Sequence, residues 1–267
     1  MSTSRLDVAL VQRGLAATRT KAQRHVTAGQ VLVAGSVATK PALLVAEDTP
    51  IDLVGGEGES DWADVGRGAT KLRAALDRWP VLVADAVCVD IGASTGGFTQ
   101  VLLERGARRV VALDVGHNQL DPTLLGDERV INLEGVHAAQ LSRAWWARES
   151  LPSSVSVVVV DVSFISLTKI IASLVDTFGV HSHYLVLVKP QFEVGRGGID
   201  QGVVKDVARR EAAVGEVLSC LGHYGVNPRD MMVSPITGEK GNVEYLVYAS
   251  ATSSVHPAEW DGAIPAR

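Results

Sequence analysis

The sequence predicts an α/β fold in which a mostly parallel sheet carries helices on both faces, preceded by a small α+β domain. Three observations predict it. Strand and helix patterns alternate from residue 69 onward, residues 157–160 form an unbroken valine run, and a glycine-rich turn joins an early strand to a helix. A continuous apolar strand is typical of a sheet that is covered on both faces.

Residues 1–54 predict the small domain. Leu6, Leu10 and Val11 lie on one face of a first helix, and Gly29 ends a second helix over 19–28. Residues 31–33 and the turn at 34–36 predict a strand pair. Residues 1–41 hold six basic residues against one acid, a charge of +5 in a chain of −5 overall. This asymmetry indicates a nucleic-acid arm, although a solvated basic face would give the same count.

Residues 55–66 combine four glycines with four acids and predict a linker, and residues 251–267 predict a loose tail. The domain between them, 67–250, follows an alternating pattern. Seven strands are predicted, at 86–91, 109–115, 129–133, 156–161, 184–189, 231–236 and 244–250, the last two as an antiparallel pair. Five helices are predicted, at 69–79, 97–105, 139–149, 165–178 and 206–224.

Composition excludes several classes of protein. The two cysteines, Cys88 and Cys220, form no CxxC motif, so neither a zinc site nor a redox motif is indicated, and no metal is expected. His181 and His183 are interpreted as loop residues. No apolar run approaches the roughly 18 residues that would span a bilayer. These features predict a cytoplasmic protein without a membrane partner.

The glycine turn follows Asp90 and reads Gly92-x-x-x-Gly96-Gly97, with Ser94 inside it and Phe98 after it. Glycines allow the backbone to approach a ligand, and the next helix begins with free amides. The spacing differs from the dinucleotide fingerprint and from the Walker loop. Asp114, at the end of the following strand, is placed to take the ribose hydroxyls of an adenosine moiety. The turn therefore favours S-adenosylmethionine over NAD, although a plain strand-to-helix turn is the simpler alternative.

Four charged residues, Lys71, Asp161, Lys189 and Glu244, each lie at the edge of a predicted helix or strand. Ligands of open α/β sheets bind at the carboxyl ends of the strands, where Asp161 and Lys189 are expected. A lysine can act as a base only when its neutral form is accessible, which partial burial and a nearby cation favour. We therefore expect Lys189 to be the base, Asp161 to orient it, and Lys71 and Glu244 to position a ribose. Each residue taken singly is more simply a surface charge.

Five blocks follow one another in the larger predicted domain: Arg67–Leu72, Asp90–Thr99, Asp161–Ser166, Val188–Glu193 and Gly241–Tyr245. Shorter segments precede them in the small domain: Arg5–Asp7, Arg13–Leu15, Thr18–Arg19, Gly29–Val31 and Lys40–Pro41. Together and in this order, these blocks resemble the TlyA family (also called the hemolysin A family) of rRNA cytidine 2′-O-methyltransferases, an S4 domain followed by an FtsJ-like class I methyltransferase.

The resemblance implies a Lys-Asp-Lys-Glu tetrad at Lys71, Asp161, Lys189 and Glu244. It also implies that S-adenosylmethionine contacts the glycine turn and its neighbours, namely Asp90, Gly92, Ser94, Gly96, Gly97, Phe98 and Asp114. It implies contact with ribosomal RNA through Arg5, Arg19, Lys40, Arg67 and Arg196. It also implies a monomer that modifies 16S and possibly 23S rRNA, a modification linked to sensitivity to capreomycin- and viomycin-type antibiotics.

Three alternatives stay open. A ribosome-assembly factor with a vestigial methyltransferase core would bind RNA without catalysis, but the complete tetrad argues against it. A membrane-active toxin conflicts with the missing apolar span. An NAD-dependent dehydrogenase conflicts with the glycine spacing.

Overall fold

The computed structural model describes residues 3–16, 19–27, 29–46, 48–53, 64–195, 200–238 and 240–251. The chain divides into two compact units, Met1–Ala63 and Asp64–Arg267. The predicted tail from residue 252 and most of the predicted linker lie outside the described residues. The predicted linker runs to residue 66, whereas Asp64 and Val65 are held on the larger unit by Arg73 and by the side chain of Gln100.

The smaller unit contains two helices and five short strands. The helices are α1 (Leu6–Gln12) and α2 (Arg19–Thr27), as predicted. The strands are β1 (Thr3–Arg5), β2 (Val31–Val33), β3 (Ser36–Ala38), β4 (Leu44–Ala46) and β5 (Ile51–Leu53). The predicted pair β2–β3 is antiparallel, while β5 joins the other side of β2 and β1 pairs with β4. Leu6 and Leu10 of α1 pack with Val26 and Val31 in a fully buried core.

The larger unit contains a seven-stranded sheet in the order β11-β12-β10-β9-β6-β7-β8. Its strands are β6 (Val87–Ile91), β7 (Arg109–Asp114), β8 (Val130–Glu134), β9 (Val157–Val160), β10 (His183–Val188), β11 (Asn227–Val233) and β12 (Tyr245–Ser250). β6 to β10 are parallel, and β12 and β11 run antiparallel at one edge. All four residues of β9 are fully buried, as expected for a strand covered on both faces.

In the described part of the larger unit, seven α-helices accompany this sheet: α3 (Gly68–Arg78), α4 (Gly97–Glu104), α5 (Pro122–Leu125), α6 (Arg143–Arg148), α7 (Ile171–Phe178), α8 (Pro190–Glu193) and α9 (Val207–His223). The sequence did not predict the four-residue helices α5 and α8, each of which begins with a proline that cannot donate a backbone hydrogen bond.

Several predicted elements differ from the structure. The predicted helices at 139–149 and 165–178 each divide into a 3₁₀ turn and a shorter α-helix. Ser142 accepts from the Trp145 amide and so starts α6, whereas Ser166 accepts from the Thr168 amide and starts the 3₁₀ turn that precedes α7. β11 begins at Asn227, four residues before its predicted start, and a register shift between Pro228 and Asp230 accommodates the proline on this edge strand. His183 is the first residue of β10 rather than a loop residue, and its ring contacts the hydroxyl of Tyr248.

Candidate active site at the carboxyl edge of the sheet

The glycine turn connects β6 to α4 at the centre of the sheet, where the chain order reverses between β6 and β9. The backbone has positive φ at Gly92 (+85°), Ser94 (+49°) and Gly96 (+97°). A Cβ on Gly92 would lie 2.6 Å from the carbonyl oxygen of Asp161, so only glycine fits there. Gly96, the N-cap residue of α4, has no side chain that could cap this helix, and in the first turn Thr99 binds the buried carboxylate of Asp90. Gly97 and Phe98, which begin the helix, line the cavity described below, and a helix N-terminus in this position suits an anionic ligand group.

Asp90 lies beneath this turn rather than on its surface. It is fully buried, and its Oδ2 accepts a hydrogen bond of 2.7 Å from the Thr99 hydroxyl on α4. Burial raises the pKa of Asp90 to about 7, and the nearby carboxylate of Asp161 adds to that effect. This position favours support of the turn over the direct cofactor contact that the sequence led us to expect.

Asp114, at the end of β7, holds the turn from the other side. Its Oδ2 accepts from the Ser94 amide at 2.8 Å, and its Oδ1 accepts from the Gly116 amide at 2.7 Å. The Ser94 hydroxyl donates to Gln119 Oε1 at 3.1 Å. Each carboxylate oxygen retains further acceptor capacity, so binding of ribose hydroxyls by Asp114 stays a prediction.

The four charged residues form two ion pairs at the same edge of the sheet. Lys71 Nζ lies 2.6 Å from Glu244 Oε2, and Lys189 Nζ lies 2.6 Å from Asp161 Oδ1. Asp161 and Lys189 follow the parallel strands β9 and β10. Glu244 precedes β12, and because β12 is antiparallel, its first residue reaches the edge where the parallel strands end. Lys71 comes from the first half of α3.

Two neutral side chains connect these pairs to their surroundings. Lys189 Nζ also donates a 2.9 Å hydrogen bond to Ser163 Oγ. Gln191 Nε2 donates to Glu244 Oε1 at 3.4 Å. The pairs are mostly buried: the exposed side-chain fractions are 9% for Lys71 and 3% for Glu244, against 10% for Lys189 and 19% for Asp161.

A cavity of about 610 Å³ joins the glycine turn to the ion pairs. Nine of the predicted site residues line it: Arg67, Lys71, Gly92, Ser94, Gly97, Phe98, Asp161, Lys189 and Glu244. Asp90, Gly96 and Asp114 are absent from its lining. A Cβ on Gly96 would overlap the side chain of Leu124, so that glycine serves packing against α5.

Sequence reasoning did not name the other residues of the cavity lining as site residues, and five of these carry polar, charged or aromatic side chains near the ion pairs: Ser163, Phe164, Gln191, Phe192 and Lys240. The ring of Phe164 is 92% exposed and lies 5.1 Å, centroid to centroid, from that of Phe192. Phe164 also has a φ of +65°, which is unusual for an aromatic residue. The available signal was adjacency in sequence, since four of the five follow Asp161 or Lys189 within three residues.

The residues predicted to contact RNA have different environments. Arg5 and Arg19 both bind the buried carboxylate of Asp7, at 2.9 and 3.0 Å, and the hydrogen bond from Arg5 holds the pKa of Asp7 well below its usual range. Lys40 is exposed. Arg67 donates to the carbonyl oxygen of Thr237, and Arg196 lies outside the described residues.

Two further findings concern the described part of the chain. No cluster of three or more His, Cys, Asp or Glu side chains there could hold a metal ion. No helix there is long and apolar enough to cross a membrane.

Family models, curated proteins and solved structures that are similar to this chain agree with one another. Residues 65–251 match the model of the FtsJ-like methyltransferases, and residues 4–51 match the S4 domain. The chain is 42% identical to the 16S/23S rRNA (cytidine-2′-O)-methyltransferase TlyA of Mycobacterium tuberculosis, over 92% of this chain and 89% of that protein. It is 37% identical to Hemolysin A of Brachyspira hyodysenteriae, over 91% and 98%. The solved structure of a hemolysin-type protein from Streptococcus thermophilus superposes with a TM-score of 0.67 at 36% identity, over 95% and 90%.

Proposed function

Because this chain belongs to the TlyA family, the FtsJ-like methyltransferases that carry an S4 domain, we propose that it methylates a ribose 2′-hydroxyl of ribosomal RNA. The nucleotide is a cytidine, as in the name of the mycobacterial relative. The observation that carries the proposal is the pair of buried ion pairs, Lys71–Glu244 and Lys189–Asp161, in one cavity with the glycine turn. An enzyme with this substrate would act where ribosomes are, in the cytoplasm.

The glycine turn fits S-adenosylmethionine as the methyl donor. Gly92, Ser94 and Gly97 line the cavity and leave room for a ligand because their side chains are small or absent. The N-terminus of α4, whose N-cap residue is a glycine, suits the carboxylate of the cofactor. Phe98 offers an apolar contact beside them. When bound, S-adenosylmethionine supplies an electrophilic methyl group for displacement by an oxygen nucleophile. The remaining chemistry, which is to place that oxygen and remove its proton, falls to the side chains of the cavity.

Lys189 is the proposed base. Its Nζ is held by Asp161 at 2.6 Å and by Ser163 at 2.9 Å, so its position at the carboxyl edge of β10 is fixed before the substrate arrives. In the ion pair Lys189 carries a proton, which would have to pass to water before the reaction; the neutral amine would then accept the proton of the 2′-hydroxyl as the oxygen attacks the methyl group. Asp161 then stabilises the resulting ammonium ion. Such base catalysis contributes typically 10²- to 10⁴-fold to the rate.

Lys71 and Glu244 are proposed to position the ribose. Glu244 accepts from Lys71 and from Gln191, so its orientation is fixed from two directions. Both members of this pair line the cavity on the same edge of the sheet as Lys189. Hydrogen-bonding groups held in this way can orient a hydroxyl without losing freedom when the substrate binds.

The mouth of the cavity suits an unstacked nucleotide. The exposed ring of Phe164 offers a stacking surface, and base–aromatic stacking is worth about 1–3 kcal/mol. Arg67 and Lys240 line the cavity as cations toward the RNA backbone. Arg5, Arg19 and Lys40 of the S4 domain, together with Arg196, are the further proposed contacts to rRNA.

Transfer of labelled methyl groups to purified 30S and 50S subunits tests this function. We expect the wild-type chain to label rRNA at a cytidine 2′-oxygen, and Lys189→Ala to lose at least about 100-fold in rate. Lys205→Ala is the matched control, since Lys205 is an exposed lysine paired with Asp200 outside the cavity. The labelled subunit distinguishes 16S from 23S specificity.

Cofactor binding without transfer to either subunit would contradict the enzyme and favour the ribosome-assembly alternative. We also propose the antibiotic link: disruption of the gene should reduce sensitivity to capreomycin, and Lys189→Ala should fail to restore it. Restoration by Lys189→Ala would separate the antibiotic effect from methylation.

A further inference from the structure

Glu193 is a partly buried carboxylate that the proposed chemistry does not use. It is the last residue of α8, four residues after Lys189. Its Oε2 accepts a 2.6 Å hydrogen bond from Ser166 Oγ, and its Oε1 accepts a 3.0 Å hydrogen bond from the Leu167 amide. Burial raises its pKa, which marks a carboxylate with little access to water. Burial of a carboxylate costs free energy unless the group is hydrogen-bonded, so these two hydrogen bonds stabilise the buried position of Glu193.

The two segments that Glu193 joins both carry residues of the cavity. The segment after β9 carries Asp161, Ser163 and Phe164, and then reaches Ser166, which accepts from the Thr168 amide at 3.2 Å and starts a 3₁₀ turn. The segment after β10 carries Lys189, Gln191 and Phe192 and ends at Glu193. Glu193 therefore connects the C-terminal end of one segment to the C-terminal end of the other.

Phe164 lies in the segment that this bridge holds. Its positive φ is a strained conformation for a residue with a side chain, and such strain persists only where the surrounding structure holds it. Its ring is largely exposed, and among the described residues its aromatic neighbour is Phe192. The hydrogen bonds from Ser166 and Leu167 to Glu193 lie two and three residues further along the same segment.

We propose that Glu193 is a positioning residue that locks the Asp161–Ser166 segment against α8 and so presents Phe164, Asp161 and Ser163 to the target nucleotide. This inference rests on the proposed function, because positioning matters only if a nucleotide enters this cavity. Glu193 does not contact the reacting atoms. It acts through the segment it holds, and a displacement of about 1 Å at a reacting centre can cost 10²-fold in rate.

The first test needs no substrate. Hydrogen exchange measured on the full chain should be faster at residues 163–168 in Glu193→Ala, above all at the Leu167 amide, which loses its acceptor. Glu216→Ala is the matched control, because Glu216 is an exposed carboxylate on α9 that acts on Glu193 only through its charge. Unchanged exchange at Leu167 in Glu193→Ala would overturn the proposal.

The second test separates positioning from folding. Glu193→Ala should lower kcat/KM for ribosomal RNA by about 10- to 100-fold, while the Kd for S-adenosylmethionine and the melting temperature change little. Glu193→Gln should recover to within about threefold of wild type, because its amide oxygen can accept from Leu167 and its amide nitrogen can donate to Ser166.

A double variant identifies the route of the effect. In a Phe164→Ala background, Glu193→Ala should lower the rate by a smaller factor than it does in the wild type, since the ring is already gone and only Asp161 and Ser163 are left to be displaced. A loss that multiplies fully with that of Phe164→Ala would overturn this route. An inactive wild type would refute the proposed function, and the exchange experiment would then decide the role of Glu193 separately.

Discussion

Removing either member of the Lys71–Glu244 pair is expected to destabilise the larger unit, whereas removing both restores most of the stability but no activity. The variants are Lys71→Met, Glu244→Gln and the double variant. The side chains are 9% and 3% exposed and 2.6 Å apart, so a single substitution leaves one charge buried without its counterion. Gln191 still donates to the residue at 244 in the Gln variant, so that hydrogen bond is not the difference.

The magnitude follows from the distance and the burial. At an effective dielectric constant of about 20, two unit charges 2.6 Å apart attract by about 6 kcal/mol. Desolvation of both ions offsets much of this, so the intact pair contributes little net stability. A single substitution leaves the remaining ion buried without its counterion, which lowers the free energy of unfolding by about 3–5 kcal/mol. In a unit of this size, that lowers Tm by roughly 6–20 °C.

Urea unfolding followed by tryptophan fluorescence measures this effect, because Trp79 and Trp146 are buried in the larger unit. The double variant should unfold within about 2 kcal/mol of wild type. Its methyl transfer should stay as low as that of the worse single variant. A double variant that loses the sum of the two single losses would refute the reasoning, because it would mean that the two charges do not interact.

Three further outcomes are expected. Gly92→Ala should abolish S-adenosylmethionine binding in calorimetry, since its Cβ would lie 2.6 Å from a backbone oxygen, whereas Gly179→Ala, with a similar positive φ but no atom within 4 Å, should keep it. Burial raises the pKa of Asp90 to about 7 from an unfolded value of 3.8, so the folded state binds the extra proton and stability falls as pH rises from about 4 to 7. In urea titrations, Asp90→Asn should remove up to about 4 kcal/mol of this pH-dependent fall in unfolding free energy. If the variant and the wild type show the same dependence of stability on pH, Asp90 is ionised throughout this pH range. Lys40→Ala should reduce the salt dependence of rRNA affinity by about one unit of slope without loss of stability, whereas Arg19→Ala should also lower the melting temperature, because Arg19 binds buried Asp7. Equal slopes for Lys40→Ala and wild type would remove Lys40 from the RNA interface.

Most of the order of strands and helices in the larger unit, and the edge of the sheet at which the four charged residues meet, could be predicted from the sequence alone. Periodicity is a local property, so apolar runs such as 157–160 identify strands directly. Asp161 and Lys189 could be placed together because parallel strands end at one edge, whatever their order. The glycine turn could also be predicted, because the positive φ angles at Gly92 and Gly96 are local properties of the backbone that favour glycine.

Which charges pair and which are buried follows from the tertiary structure. Lys71 pairs with Glu244, 173 residues away, because β12 lies antiparallel beside β10 and so brings Glu244, the residue before its first, to the edge where the parallel strands end. In the charge count of residues 1–41, Asp7 was one acid against six basic residues. In the structure it is buried and binds two of them, Arg5 and Arg19. The exposure and positive φ of Phe164 likewise have no local signature. Burial and pairing depend on contacts between residues distant in sequence, and single residue patterns do not encode those contacts.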